Sequence, residues 1–297
     1  MRVLVTGATG FVGSFLVPEL IAAGHQVVGL TRSDRGAAAL TRAGAEVFRG
    51  DVNDLDRLRT AAGAADGVIH TAFNHDMVNL KQHSEADRQV IAALGRVLAG
   101  SGRPLIITSG TGLVRSATGG PAAETDDHLT SGQAPRAATE EAADALIAAG
   151  GRVMVIRLPQ VHDTHRQGRL TWQIQTAREQ GRVAYVGAGR NRVAAVHISD
   201  AVRLYRLALE QGRPGGRYHA VGEEGVAIRD IAEVIGAGLR VPVESITYGQ
   251  APAYFGWMAD LVILDLPAAS ALTRQELGWD PTGPGLLTDL RHAGYGG

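Results

Sequence analysis

Three glycines spaced Gly7-x-x-Gly10-x-x-Gly13 constrain this chain more than any other feature. The run before them, Arg2-Val-Leu-Val-Thr6, is short, apolar and β-branched, which reads as a strand buried on both faces. Phe11–Ala23 after them carries apolar residues at helical spacing and stops at Gly24. In a strand–turn–helix unit, Gly7 permits the tight turn, Gly10 lets the backbone approach a pyrophosphate, and Gly13 lets the helix pack closely on the sheet. The helix N-terminus then offers free N–H groups and a positive dipole end to phosphates. The loop predicts a dinucleotide site formed by Gly7, Thr9, Gly10, Phe11 and Val12.

The same rhythm continues for half the chain. Strands expected at His25–Leu30, Glu46–Arg49, Gly67–Thr71, Leu105–Thr108 and Val153–Arg157 alternate with helices at Ala37–Ala43, Leu55–Ala62, Met77–Ala99 and Ala137–Ala149. This predicts an α/β fold: a Rossmann-type doubly wound parallel sheet. After Pro159 the elements shorten, and Trp172, Trp257 and Trp279 all fall there. Residues 160–297 are expected to form a smaller C-terminal substrate-binding domain over the carboxyl ends of the strands, where open α/β sheets bind ligands. Residues 1–159 form the nucleotide domain, and 193–212 are expected to pack back on it.

Composition excludes several classes. A net charge of -1 gives no field to attract nucleic acid or an anionic membrane. No apolar run approaches the ~20 residues of a membrane span. The chain has no cysteine, which removes disulfides, thiolate nucleophiles and cysteine zinc sites and suits a cytoplasmic protein. Met1-Arg2 leads at once into a strand, so no signal peptide is expected.

The second strand ends Gly29-Leu30-Thr31-Arg32, with Arg35 nearby. An acidic residue that would bind ribose hydroxyls is missing, and a guanidinium can grip a 2′-phosphate by paired, charge-assisted hydrogen bonds. The expected cofactor is NADP(H). Asp51 and Val52 either flank the adenine or, for Asp51, cap the following helix.

These residues resemble the short-chain dehydrogenase/reductase superfamily, in its extended branch of NAD(P)-dependent epimerases and dehydratases. Arg157-Leu-Pro-Gln-Val-His162 is similar to that branch's Arg-Pro-x-x-Val-Tyr segment, and Val196-His-Ile-Ser-Asp-Ala201 to its Val-His-Val-x-Asp segment. The resemblance implies that Pro159 lies beside the nicotinamide and that the segment with Gln160 and His162 lines the substrate pocket. It also implies that the chain passes the nicotinamide ribose at His70-Thr71-Ala72-Phe73-Asn74-His75-Asp76. Thr71, Ala72 and Phe73 are assigned to the cofactor, and Asn74 and Tyr185 to the substrate. That segment resembles an atypical subgroup with a His-x-Ala-Phe-x-His-Asp signature and no Tyr-x-x-x-Lys.

The pattern breaks at the catalytic centre. The family's acid/base Tyr and its Lys four residues later fall here on Arg136 and Glu140, and its Ser/Thr slot falls on Gly110 between Ser109 and Thr111. An arginine stays protonated and cannot shuttle protons near neutral pH. His75 is a candidate proton donor oriented by Asp76, or else His75 and Asp76 simply begin a helix with Asp76 as its N-cap. Thr111 or Ser109 can bond a carbonyl oxygen, Arg136 can stabilise negative charge, and Glu140 can hold Arg136. Tyr185 and Tyr254 are candidates to replace the missing tyrosine from the second domain. His162, Asp163 and His165 have metal-like spacing, but no metal is expected.

The reading is an NADP(H)-dependent oxidoreductase reducing a C=O or C=N bond of a small to medium organic substrate. The alternatives are a sugar-type epimerase or dehydratase with bound cofactor, and a non-catalytic NADP sensor. A homodimer through the helices near 77–99 and 137–149 is expected from relatives of the fold.

Overall fold

The computed structural model describes residues 1–116 and 118–295. β1 (Arg2–Thr6) leads through the glycine turn into α1 (Phe11–Ala22), followed by β2 (Gln26–Thr31), α2 (Asp34–Arg42) and β3 (Glu46–Arg49). Next come α3 (Leu55–Gly63), β4 (Gly67–His70), α4 (Leu80–Leu98), β5 (Leu105–Gly110), α5 (Ala138–Ala148) and β6 (Val153–Leu158). Val3, Leu4 and Val5 are fully buried. Their side chains alternate between two cores: Val3 and Val5 face Leu16, Leu20 and Leu204, while Leu4 faces Leu58, Ile91 and Leu94. That two-sided burial is why the strand reads as an unbroken apolar run.

The second half holds β7 (Gln160–His162), α6 (Leu170–Gln180), β8 (Val183–Val186), β9 (Arg192–His197), α7 (Ile198–Gln211) and β10 (Arg217–His219). It continues with β11 (Glu223–Ala227), α8 (Ile228–Leu239), β12 (Val243–Ile246), and four short helices: α9 (Ala251–Phe255), α10 (Ala259–Val262), α11 (Ala271–Leu277) and α12 (Leu286–His292). The central sheet has seven parallel strands in the order β10-β6-β5-β4-β1-β2-β3. The order reverses at β1, so a crevice opens at the carboxyl ends of β1 and β4. β10, the seventh strand, was not anticipated: three residues with an arginine and a histidine carry no strand period. β11-β9-β7 form a second sheet and β12-β8 a third.

Several boundaries move. The helix expected from Met77 starts at Leu80, because the preceding loop is tied up by its own side chains, and its N-cap is Asn79 rather than Asp76. Asp54, not Asp51, caps α3. The apolar stripe of α4 (Val90, Ile91, Leu94, Leu98) packs on the sheet and α5 inside the chain. Among the described residues no helix is long and apolar enough to cross a membrane.

Candidate active site

The glycine loop fits a dinucleotide by its own stereochemistry. Gly7 has φ +67°, and a Cβ there would lie 2.7 Å from the Ala72 backbone nitrogen. The stretch after β4 therefore lies directly against the loop, which brings Thr71, Ala72 and Phe73 to it. A Cβ on Gly13 would strike the Gly7 carbonyl oxygen at 2.1 Å. At Gly10 a Cβ would make one tight contact, with that carbonyl oxygen at 3.2 Å. No side chain caps α1 and no acidic residue sits in its first turn. Its N–H groups stay available to a pyrophosphate, which is the donor set such a group requires.

At the end of β2, Arg32 is exposed and bonds one Asp51 oxygen at 3.2 Å. Asp51 also accepts from the Asn53 backbone, and this bond, with Arg32, holds its carboxyl below the ordinary value. Arg35 is exposed one turn further on.

At the carboxyl ends of β1 and β4 lies a buried polar relay. The Thr6 hydroxyl bonds His70 Nδ1 at 2.6 Å, and His70 Nε2 donates to Asp87 Oδ1 at 2.8 Å. Asp87 Oδ2 accepts from Arg136 Nη1 at 2.8 Å and from the Thr139 hydroxyl. Arg136 Nη2 donates to the Thr108 carbonyl at 3.1 Å, and its guanidinium lies 3.7 Å from the centre of the Phe73 ring. Burial opposes charge on Asp87, but the His70 hydrogen bond and the Arg136 charge outweigh it and keep the carboxyl below its ordinary pKa. The result is a fixed cation with one aromatic face, about a fifth of its side chain still open to solvent.

Other assignments change. Glu140 does not hold Arg136. It is fully buried and takes Arg157 Nε at 2.8 Å and Nη2 at 3.2 Å, with Arg217 behind. Burial disfavours its charge, and the Arg157 pair overrides that. The slot of the family's lysine is thus a closed ion pair. The chain's single lysine, Lys81, is exposed on α4. Asp76 does not orient His75: it binds the Val78 backbone and Asn79, with His83 3.7 Å away. His75 packs edge-on against Phe73 at 5.2 Å, where partial desolvation and the Arg136 charge hold it below its ordinary pKa. Asn74 is pinned within its loop, accepting from the Asp76 backbone and bonding His83.

No tyrosine comes to the crevice from the second half. The Tyr254 hydroxyl donates to the Arg182 carbonyl, and Tyr185 lies beside Arg229 in an apolar recess between β8 and α8. Tyr205 is near Arg136 but fully buried, donating to the Thr108 hydroxyl at 2.7 Å, and burial pushes its pKa far up. Thr111 begins a tight turn, Thr111–Leu113, just past β5, while the Ser109 hydroxyl is buried without a partner among the described residues. His162 is fully buried and donates to Asp289 at 2.7 Å, and Asp163 is spent on the loop N–H groups of His165 and Arg166. Gln160 bonds the Gln167 carbonyl at 2.5 Å. Pro159 links β6 to β7. Among the described residues no three metal-ligating side chains cluster.

The family model for the NAD dependent epimerase/dehydratase family matches residues 3–221. The chain belongs to that family. It is 41% identical over 296 residues to an uncharacterized protein of Schizosaccharomyces pombe, covering 99% of this chain and 100% of that one. It is 27% identical over 265 residues to a 2-alkyl-3-oxoalkanoate reductase of Stenotrophomonas maltophilia, covering 82% of this chain and 77% of the relative. The fold resembles a dTDP-glucose 4,6-dehydratase from Streptomyces venezuelae solved with NAD and TYD, with a TM-score of 0.78 at 21% identity over 98% of this chain and 96% of that one. Members of this family bind NAD(H) or NADP(H) and act on small molecules as enzymes of the oxidoreductase superfamily.

Sequence reasoning missed Asp87, Thr139 and Tyr205. Asp87 had a readable signal: it lies four residues before Ile91 on the apolar stripe of α4, where a lone carboxylate must be paired.

Proposed function

We propose that the protein is an NADP(H)-dependent oxidoreductase that reduces a carbonyl, or less readily an imine, by hydride transfer without a Tyr–Lys pair. The observation that carries this is Arg136, fixed by Asp87 and the Thr108 carbonyl and stacked on Phe73, in the slot of the family's tyrosine. The dinucleotide supplies the hydride when bound. Arg136 stabilises the oxygen as it gains negative charge, and a preorganised cation does this without reorganising. It keeps its own proton, so the oxygen takes one from water through the solvent-open side of the site. A guanidinium repels a cationic iminium, which places C=O ahead of C=N. His75, kept largely neutral, and Thr111 serve as hydrogen-bonding partners of the substrate. The reductase among the relatives supports the direction of the reaction for this chain. Arg32 and Arg35 support a 2′-phosphate.

The test measures dinucleotide affinity and turnover together. NADPH should bind more tightly than NADH and be consumed with members of a ketone, aldehyde and imine panel. Arg136→Met should lower kcat/KM by roughly 100-fold or more, with NADPH affinity unchanged. Equal or tighter NADH binding overturns the NADP assignment. Bound NADPH with no turnover across the panel overturns the reductase.

A further inference from the structure

Arg166 belongs to the second half of the chain, yet its side chain ends over the first helix. It sits in a loop, residues 163–168, whose backbone is bonded from both sides. The Asp163 N–H donates to the Arg166 carbonyl at 2.9 Å, and the Asp163 carboxylate accepts from the N–H groups of His165 and Arg166. The Gln167 side chain donates to the Asp163 carbonyl at 2.6 Å, and Gln160 Nε2 donates to the Gln167 carbonyl. Gly168 closes the loop at φ +51°, where a Cβ would lie 2.7 Å from the Val161 carbonyl oxygen. Only glycine fills that position without strain. The loop thus fixes the point from which the Arg166 side chain leaves.

That side chain is exposed, and its guanidinium lies 5.7 Å from the centre of the Phe11 ring. Phe11 is the first residue of α1, so a cation stands at the helix end where free N–H groups and the dipole already place positive charge. α1 has no acidic residue in its first turn and no capping side chain to offset it. Arg157 pairs with Glu140 and Arg192 with Asp265, but among the described residues no carboxylate pairs with Arg166. An unpaired arginine on a surface is ordinary. One set against a helix N-terminus is electrostatically unfavourable. A pyrophosphate at the glycine loop reverses the sign of that interaction, because its negative charge then lies at the same helix end.

We propose that Arg166 is a cofactor-binding residue: its guanidinium pairs with the pyrophosphate of the dinucleotide held by α1, so the second half of the chain helps to retain the cofactor. The planar fork suits a phosphate by two parallel hydrogen bonds, which an ammonium cannot reproduce. The proposal needs only a dinucleotide at the glycine loop. It stands apart from the reductase reading and from the choice between NADP and NAD.

The test is calorimetric titration of the full chain with NADPH, NADH and ADP-ribose, which keeps the pyrophosphate but has no nicotinamide. Arg166→Met should weaken all three by the same factor, about tenfold or more, and Arg166→Lys should recover part of the loss. The loss should shrink as salt rises, as for any exposed charge pair. Without ligand, the melting temperature of Arg166→Met should equal the parent's or exceed it, because a cation has left the helix end. Unchanged ADP-ribose affinity overturns the proposal. If NADPH binding is unchanged as well, the guanidinium is left for an anion on the substrate; if NADPH alone weakens, it serves the 2′-phosphate or the nicotinamide. A ligand-free melting temperature that falls together with the affinity also overturns it, since the residue then only holds its loop. A parent protein that binds none of the three overturns it outright. Arg166-dependent binding of all three, with no turnover on the carbonyl and imine panel, sinks the reductase reading and sustains this one.

Discussion

His219 ends β10 with its ring between two partners that fix which nitrogen carries the proton. Nδ1 donates to the Ala269 carbonyl at 2.9 Å, and Nε2 accepts from Arg157 Nη1 at 3.4 Å. Burial and the facing Arg157 charge push its pKa down to about 4. The folded chain refuses a proton that the unfolded chain accepts near pH 6.5. Its contribution to stability is therefore complete above pH ~6.5 and is lost as pH falls toward 4, at up to ~1.4 kcal/mol per pH unit. His219→Gln can keep both hydrogen bonds and does not titrate. Denaturant melts between pH 7 and 4 should show a shallower loss for the variant, and equal slopes would assign the acid response to other groups. None of this was legible in the sequence, because His219 meets Arg157 from 62 residues away.

At the scale of elements, what was legible is what the backbone itself demands. β1, the glycine turn and α1 follow from local rules, since a two-sided apolar strand and a close helix approach leave their mark in consecutive residues. The relay beyond them does not: Asp87 on α4 reaches Arg136 across 49 residues, and only the packing of α4 beside α5 brings them together. Glu140 shows the same limit, four residues from Arg136 on paper yet committed to β6. The glycine loop separates folding from binding in a way that two substitutions can read. Gly13→Ala places a methyl against the Gly7 carbonyl and should cost about 3 kcal/mol of stability. Gly10→Ala asks the Gly7 carbonyl to give only slightly in the fold, whereas Gly13→Ala meets it head-on, but the Gly10→Ala methyl would sit beneath a pyrophosphate. It should stay within about 1 kcal/mol of the parent while NADPH affinity falls about tenfold or more. A Gly10→Ala protein that binds NADPH like the parent would remove the loop from the cofactor site.

The whole molecule is tied across its two parts by elements that belong to both. β9 pairs with β7 and β11 in the second sheet, then runs straight into α7, whose Ile198, Val202 and Leu204 join the core that holds α1. Trp279, fully buried near the C-terminus, donates to the Asp200 carbonyl at 2.9 Å, and Asp200 in turn holds the backbone of Thr282 and Gly283. The second half of the chain cannot open without exposing residues of the core that holds α1. The chain should therefore melt in one cooperative transition, and NADPH bound at the glycine loop should shift all of it. At a free concentration a hundredfold above Kd the gain is about 2.7 kcal/mol, which for a chain of this length raises Tm by about 4 °C. Calorimetry with and without NADPH checks this. Two transitions, of which only one moves with NADPH, would mean that the halves unfold separately.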